Sequence, residues 1–409
     1  MSTTVVVGSG PAGAAAAITA RESGLGDVLL VDKAHFPRDK CCGDGLTPRA
    51  ITALGELGLG VWAGLQARQS GVEISIGSHD PCPIPWPAST HPDFSIAVKR
   101  VELDQALHER AVDAGAQEIT GRVSTVQTAD DGTVTSVRVR TTDGEDDIAC
   151  DHLIVADGSG SPVGAMLGRE WYRDEMYAVA SRSYVRIPDL GDHMRIAILP
   201  PTTPDDAMGY GWVFPIGDGW ANVGYGEMLS NKHWPSGPRK STRELHERYV
   251  EHLRREFDFG EPEDFASAPL AIGGLVGPVA GPNWLAVGDA AGGIHPLTGE
   301  GIDFALETGR AAIATIAQSP DDLQHRWPAL LTAEYHNPYA AERFIVRTIG
   351  RHPGLARRVV PHLISSSWRG RLVLTTSAGL VAPGDRGLIA GTFRTTGAVT
   401  GRRGVPSFT

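Results

Sequence analysis

The first 32 residues constrain this chain more than any other stretch. Residues 2–7 begin polar and end in Thr4-Val5-Val6-Val7, a β-branched run suited to a buried strand. Gly8-Ser9-Gly10-Pro11-Ala12-Gly13 follows at once. An alanine-rich helix former comes next over 14–23, and a second apolar strand over 27–31 closes on Asp32. Each position has a mechanical reason. Gly8 allows the tight turn, Gly10 lets backbone approach a pyrophosphate, and Gly13 lets helix and strand pack closely. Pro11 and Ala12 open the helix, whose free N–H groups and dipole favour the phosphates. Asp32, followed by Lys33, suits the two hydroxyls of an unphosphorylated ribose. Strand, glycines, helix, second strand and terminal acid appear in order, so the stretch reads as a dinucleotide cradle.

The 409 residues are enough for two or three substructures with a large core. Apolar content of 41% and charged content of 21% describe a folded chain. A formal net charge of −11 argues against nucleic acid as a bulk partner. That average conceals an asymmetry: residues 343–409 hold eleven arginines, no lysine and one acid, Asp385. Cys41, Cys42, Cys82 and Cys150 have neither zinc spacing nor the density of a secreted scaffold, and are expected to be reduced thiols. The opening residues run straight into a strand, and no apolar run is long enough to span a bilayer. The expectation is a cytoplasmic chain.

Further along, the loop 33–48 is too long and glycine-marked to be a bare connection and is a candidate site. Thr47-Pro48 caps a helix to about Leu57, and 102–114 carries a helical stripe. Residues 121–142 predict strand, turn and strand, and 151–156 a compact strand ending on Asp157-Gly158. Strands are expected over 72–76, 176–187 and 194–199. Tyr210-Gly-Trp212-Val-Phe214-Pro215 and 221–226 form a hairpin about Asp218-Gly219, and 242–257 a charged helix. Residues 284–287 form a buried strand leading into Gly288-Asp289, then His295-Pro296-Leu-Thr-Gly299-Glu300-Gly301 and a helix from Ile302 to Gln318.

A second strand–turn–helix carrying Gly-Asp, some 280 residues after the first, implies a cofactor larger than a nicotinamide dinucleotide closed within one fold. With these residues in view the chain resembles the geranylgeranyl reductase family, FAD-dependent flavoproteins of the glutathione-reductase fold, related to aromatic hydroxylases and flavin halogenases. The resemblance covers nearly the whole chain and weakens after about residue 330. It implies an α/β fold with a Rossmann-like FAD-binding part (1–73, 98–175 and 270–322). An inserted antiparallel substrate sheet (74–97 and 176–269) and a helical, arginine-rich C-terminal region (323–409) complete it. The family's fingerprint falls on Gly8, Gly10, Gly13 and Asp32, its middle element on Asp157-Gly158, and its ribityl-binding Gly-Asp on Gly288-Asp289. The loop near the flavin pyrimidine falls on Pro296, Gly299, Glu300, Gly301 and Ile302. Arg100 matches an FAD-contacting arginine. Cys42-Gly43 matches the end of a further family element, although the approach to it is one residue short and has Lys40 where a tyrosine often stands.

Tyr210, Trp212, Phe214 and Pro215 match the family's Tyr-x-Trp-x-Phe-Pro motif in full. At alternate strand positions the three rings share one face, where they line an apolar slot against the flavin. A halogenase is expected to show Trp-x-Trp-x-Ile-Pro and a positioned lysine. The resemblance therefore implies saturation of C=C bonds in an isoprenoid chain. The loop 37–49, Gly281-Pro-Asn-Trp284 and Gly299-Glu-Gly-Ile-Asp303 look most like the bacterial branch that acts on menaquinone. The alternatives are a flavin monooxygenase or halogenase acting on a small biosynthetic intermediate, and a flavin-binding module without turnover. An isolated alkene is a poor hydride acceptor, so a proton donor must act with the flavin; Cys42, His295 and Glu300 are the candidates. The electron donor is either NADPH or NADH, visiting without a second complete fingerprint, or a ferredoxin-like redox partner. The arginine-rich end suggests peripheral docking on an anionic membrane, at about 1 kcal/mol per basic residue near the surface.

Overall fold

Val5 and Val6 are completely buried, as a continuous apolar run is when both faces of a parallel sheet are covered. The computed structural model describes residues 2–76, 81–87, 89–199, 209–230, 240–352 and 405–409, with isolated residues between 354 and 399. Five parallel strands lie in the order Trp284–Ala286, His152–Val155, Thr3–Val7, Asp27–Asp32 and Gln117–Thr120. Helix Pro11–Glu22 packs against helices Ile302–Gln318 and Arg100–Asp113. A Cβ at Gly309 would lie 2.2 Å from the Ala12 carbonyl oxygen. The alanines of the first helix therefore serve close helix–helix approach as well as helix propensity.

The expected strand–turn–strand is a three-stranded meander of Arg122–Thr128, Val134–Arg140 and Glu145–Ala149. The third strand reads as loop because it is mostly acidic. It is held across the ladder by Arg138–Asp147 at 2.8 Å and Arg140–Glu145 at 2.5 Å.

A seven-stranded sheet runs in the order Glu263–Leu270, Tyr177–Arg186, Trp220–Leu229, Gly209–Gly217, His193–Leu199, Gly71–Ile76 and Cys82–Pro85. It is antiparallel except where His193–Leu199 pairs parallel with Gly71–Ile76. Asp218 and Gly219 both have positive φ, the conformation a two-residue hairpin turn demands. Helix Thr242–Leu253 starts at Ser241, whose Oγ accepts the Glu244 N–H at 3.1 Å, and covers the neighbouring Tyr177–Arg186 and Trp220–Leu229 strands. It ends at Leu253, four residues before the expected end.

Past residue 322 the chain continues as helices Leu323–Leu331 and Asn337–Arg351, joined through a wider turn at Thr332–His336. Most of the arginine-rich remainder lies outside the described residues. Two of its arginines are not available as surface charge. Arg343 is buried and donates to the Gly273 carbonyl and to Ser407 Oγ, while Arg347 pairs with Glu175 at 3.1 Å. Phe408 returns to the core, only 1% exposed, and stacks on Phe304 at 6.0 Å. No helix among the described residues is long and apolar enough to cross a membrane.

Candidate active site

Gly8 and Gly13 occupy positions that no side chain could share. Gly8 sits at φ +102°, and a Cβ there would lie 2.3 Å from the Ala156 oxygen; one at Gly13 would lie 1.8 Å from the Gly8 oxygen. Beside Gly10 the nearest group is the movable end of Arg38, at 3.4 Å. That leaves backbone and the N-terminus of helix Pro11–Glu22 facing a space a pyrophosphate can enter. Asp32 is oriented by the N–H groups of Ser9 (2.7 Å) and Ala34 (2.9 Å). Lys33 is exposed.

Two further stretches converge on this cradle. Arg100 forms a bidentate pair with Asp104, both bonds 2.7 Å, and Arg38 reaches the same carboxylate at 2.8 Å. Phe36 stacks on His108 at 4.2 Å, and His108 bonds Ser9 Oγ at 2.8 Å. The 36–38 loop is thereby fastened to helix Arg100–Asp113. Asp289 Oδ2 accepts from Lys40 Nζ at 3.0 Å and Ser159 Oγ at 3.3 Å. Burial alone would favour the neutral acid there, but Lys40, Arg100 and Ser159 outweigh it and hold Asp289 below the usual carboxylate range. Gly288 at φ +58° meets Ala12, so the second Gly-Asp turn abuts the first helix. Asp157 is oriented from its own turn. Its two oxygens accept Ser161 Oγ (2.6 Å) and the Val163 N–H (2.8 Å), so it shapes the turn that leaves Gly158 in open space.

The aromatic row faces this cradle. Tyr210 and Trp212 stack at 5.4 Å between centroids, and Trp212 and Phe214 lie 6.4 Å apart. Their cross-strand partners are Gly226, Gly224 and Asn222. The two glycines leave room for the rings, since a Cβ at Gly224 would lie 1.9 Å from Trp212 Cζ2 and one at Gly226 2.6 Å from Tyr210 Cε1. The rings reach the cofactor loops on both sides. A Cβ at Gly43 would be 3.3 Å from Trp212 Nε1, and one at Gly299 2.7 Å from Tyr210 Oη. Beyond the rings the same sheet continues apolar through Met194, Ile74, Ile76 and Ile84, with Ile196 and Ile198 packed alongside. Among the described C-terminal residues, Leu374 and Leu380 pack onto that cluster.

The proposed proton donors separate in character. Burial, with the Asp44 charge, pushes the Cys42 thiol up against the opposing pull of Arg100; Cys41 is pushed up to about 12 by burial and by Cys42. Both therefore hold their protons at neutral pH. All four cysteines are free. Glu300 is raised well above the carboxylate range by burial and by Asp303, and its Oε1 is buried without a partner among the described residues. Tyr210 stands between these groups, its hydroxyl feeling Cys42, Cys41 and Glu300. His295 is held at one nitrogen: Nδ1 bonds the buried Glu342 at 3.2 Å and the ring lies edge-on to Tyr339 at 4.9 Å, while Nε2 is buried without a partner among the described residues. Burial works against its imidazolium, but Glu342 outweighs it, so the net shift is upward. Pro296 is buried against Gly273, Gly301 caps helix Ile302–Gln318, and Ile302 is buried at its first position.

The structure thus brings together Gly8, Gly10, Pro11, Ala12, Gly13, Arg100 and Gly288-Asp289 in one cradle. Cys42-Gly43, the aromatic row and Gly299–Gly301 line its inner end. Asp44, Asn222 and Tyr184 were not legible in the sequence. Asn222 accepts the Trp212 indole N–H (2.8 Å) and donates to the Cys42 carbonyl (2.8 Å) and to Asp44 Oδ2 (2.9 Å); Tyr184 donates to Asp44 at 2.8 Å. These contacts span about 140 and 180 residues of chain. The one available signal was Asp44 following Cys42-Gly43.

A family model described as an FAD binding domain matches residues 1–319. A menaquinone reductase of Mycobacterium tuberculosis (strain ATCC 25618 / H37Rv) is 39% identical over 393 residues, 95% of this chain and 94% of its own length. Digeranylgeranylglycerophospholipid reductase 1 of Methanopyrus kandleri is 29% identical over 385 residues, 91% of this chain and 96% of its own. A solved geranylgeranyl bacteriochlorophyll reductase-like protein from Thermoplasma acidophilum superposes with a TM-score of 0.76 at 21% identity, covering 97% of this chain and all of that one. The glycine strip and the two oriented carboxylates, Asp32 and Asp289, fit the FAD that the matched family binds.

Proposed function

The chain belongs to the geranylgeranyl reductase family of FAD-dependent oxidoreductases, and from that premise we propose that it saturates C=C bonds of an isoprenoid chain, the prenyl side chain of a menaquinone being the preferred substrate. The observation that carries this reading is the row Tyr210–Trp212–Phe214, set against Cys42-Gly43 on one side and Gly299 on the other. When bound, FAD supplies a hydride to one alkene carbon.

The protein's own residues do the rest. Positive charge that builds at the tertiary carbon lies over the Trp212 face, which stabilises a cation by ~0.5–2 kcal/mol. The buried indole also keeps water from that carbon. Cys42, Glu300 or His295, each shifted toward its protonated form, delivers a proton to the carbon opposite the hydride. His295 supports the 295–301 loop through Glu342, which also accepts the Leu297 N–H at 3.3 Å.

The test is anaerobic photoreduction followed by addition of a prenylated menaquinone. The flavin should reoxidise and the quinone gain two hydrogens per saturated bond. Reoxidation only by oxygen in the presence of an aromatic acceptor would instead mark a hydroxylase or halogenase.

NADPH, NADH or a ferredoxin-like protein reduces the flavin in this proposal, and stopped-flow reduction by each identifies which. The arginine-rich end of the chain, residues 343–409, is proposed to dock the protein peripherally on an anionic bilayer. Flotation of the full chain with anionic but not neutral vesicles tests that.

A further inference from the structure

Residues 38–40 carry three alternating charges to three separate parts of the fold. Arg38 Nη1 reaches Asp104 Oδ2 at 2.8 Å, on helix Arg100–Asp113. Asp39 pairs with Arg182, whose side chain is completely buried in strand Tyr177–Arg186 and also donates to the Asp264 carbonyl. Lys40 Nζ reaches Asp289 Oδ2 at 3.0 Å, across 249 residues of chain. The two cations thus meet acids of the cofactor cradle, while the acid between them anchors the stretch to the seven-stranded sheet.

The charges around Arg38 do not balance within the protein. Asp104 is completely buried and faces two guanidinium groups. Arg100 spends Nε and Nη2 on it, at 2.7 Å each. One carboxylate neutralises one of the two, and Arg38, with 18% of its side chain exposed against 4% for Arg100, carries the surplus. A half-buried surplus charge is costly until an anion completes it. Its Nη2 lies 3.4 Å from the position a Gly10 Cβ would take, directly over the glycine strip. The guanidinium is held there over the Phe36 ring at 5.1 Å, and that ring is stacked on His108. No acidic side chain stands in the first turn of helix Pro11–Glu22, and Gly10 supplies no side-chain cap, so that end is left for an outside anion.

Lys40 stands at the other end of the same space. An ammonium has three donors, and Asp289 takes one of them, which is the one ion pair Lys40 makes among the described residues. A purely structural tie would need neither the exposed ammonium, 39% accessible, nor the second guanidinium on Asp104.

We infer that Arg38 and Lys40 are the two cations that hold the FAD pyrophosphate, Arg38 on the adenosine-side phosphate and Lys40 on the ribityl-side phosphate. This rests on FAD lying in the cradle with its ribose at Asp32 and its ribityl chain at Asp289. Arg38 keeps Nη1 on Asp104 and offers Nη2, while Lys40 keeps one N–H on Asp289 and offers another. Asp39 is the positioning residue that fixes their direction through Arg182.

The test uses the full chain stripped of flavin and refilled with FAD, with readouts that need no turnover. Flavin fluorescence titration should give a Kd roughly ten- to a hundredfold higher in Arg38→Met and in Lys40→Met, the loss of one charge-assisted bond each. Lys40→Arg should recover most of that loss. Binding should also depend less on salt in both methionine variants. Phosphorus NMR at saturating FAD separates the two phosphates: Arg38→Met should move the adenosine-side resonance and Lys40→Met the ribityl-side one. Resonances that stay in place, or affinities that fall with an unchanged salt dependence, make the two pairs mere ties between loops and overturn the assignment. A wild-type chain that takes up no FAD refutes the cradle itself, a separate failure seen before any variant is made.

Discussion

Gly224→Ala moves the Trp212 indole without altering any residue that touches substrate or cofactor. The new Cβ would lie 1.9 Å from Cζ2, 2.2 Å from Cε2 and 2.5 Å from Cη2 of that ring. Carbon pairs rest at about 3.5–4.0 Å, so the ring must retreat by roughly 1.5–2 Å. It has little freedom to do so, because Nε1 is tied to Asn222 at 2.8 Å and Gly43 lies close to its edge. Overpacking of this kind costs about 1–3 kcal/mol, and losing the buried indole bond adds about 1–3 kcal/mol more. A displaced ring forfeits most of its ~0.5–2 kcal/mol of charge stabilisation. At about 1.4 kcal/mol per decade this slows prenyl-driven flavin reoxidation roughly two- to thirtyfold. Bound FAD should stay stoichiometric, and near-UV circular dichroism should report the moved indole. Gly55→Ala, where nothing lies within 4 Å, is the matched control and should be silent in all three measurements. An unchanged rate in a variant whose indole signal has moved would refute the cation-stabilising role of Trp212.

Gly13→Ala drives a methyl to 1.8 Å from the Gly8 oxygen, and the purified protein should be colourless; a full complement of FAD by absorbance would contradict the cradle. His246, bonded to Ser181 at 3.2 Å and Ser183 at 2.9 Å, is lowered to about 4 by burial and by Arg243. A depressed histidine contributes stability above its unfolded value of 6.5 and loses it as pH falls toward 4. Urea unfolding across that window should therefore cost the wild type about 3 kcal/mol more than His246→Gln, and equal losses would remove the effect. Phe408→Ala should cost about 3–5 kcal/mol in urea, because the ring is fully enclosed by Phe304, Tyr335 and Tyr339. A change under 1 kcal/mol would show that the site collapses around the loss.

Sequence alone determined the nucleotide fingerprint, the second Gly-Asp turn and the aromatic row, because each is local. A φ such as that of Gly8 favours glycine, a tight helix–strand contact forbids a Cβ, and alternation along a strand puts three rings on one face. What it left open depended on distant partners. Asp157 reads as an isolated acid until Ser161 and the Val163 N–H are seen to orient it. His295 reads as a lone imidazole until helix Asn337–Arg351 brings Glu342 to its Nδ1 and raises its pKa. The acidic strand Glu145–Ala149 is invisible without the arginines opposite, and Arg343 reads as one more surface charge until it is found inside. Asp44 and Asn222 meet only because two sheets are folded together. A buried polar residue takes its charge and its partners from whatever fills the space around it, and only the tertiary structure decides that.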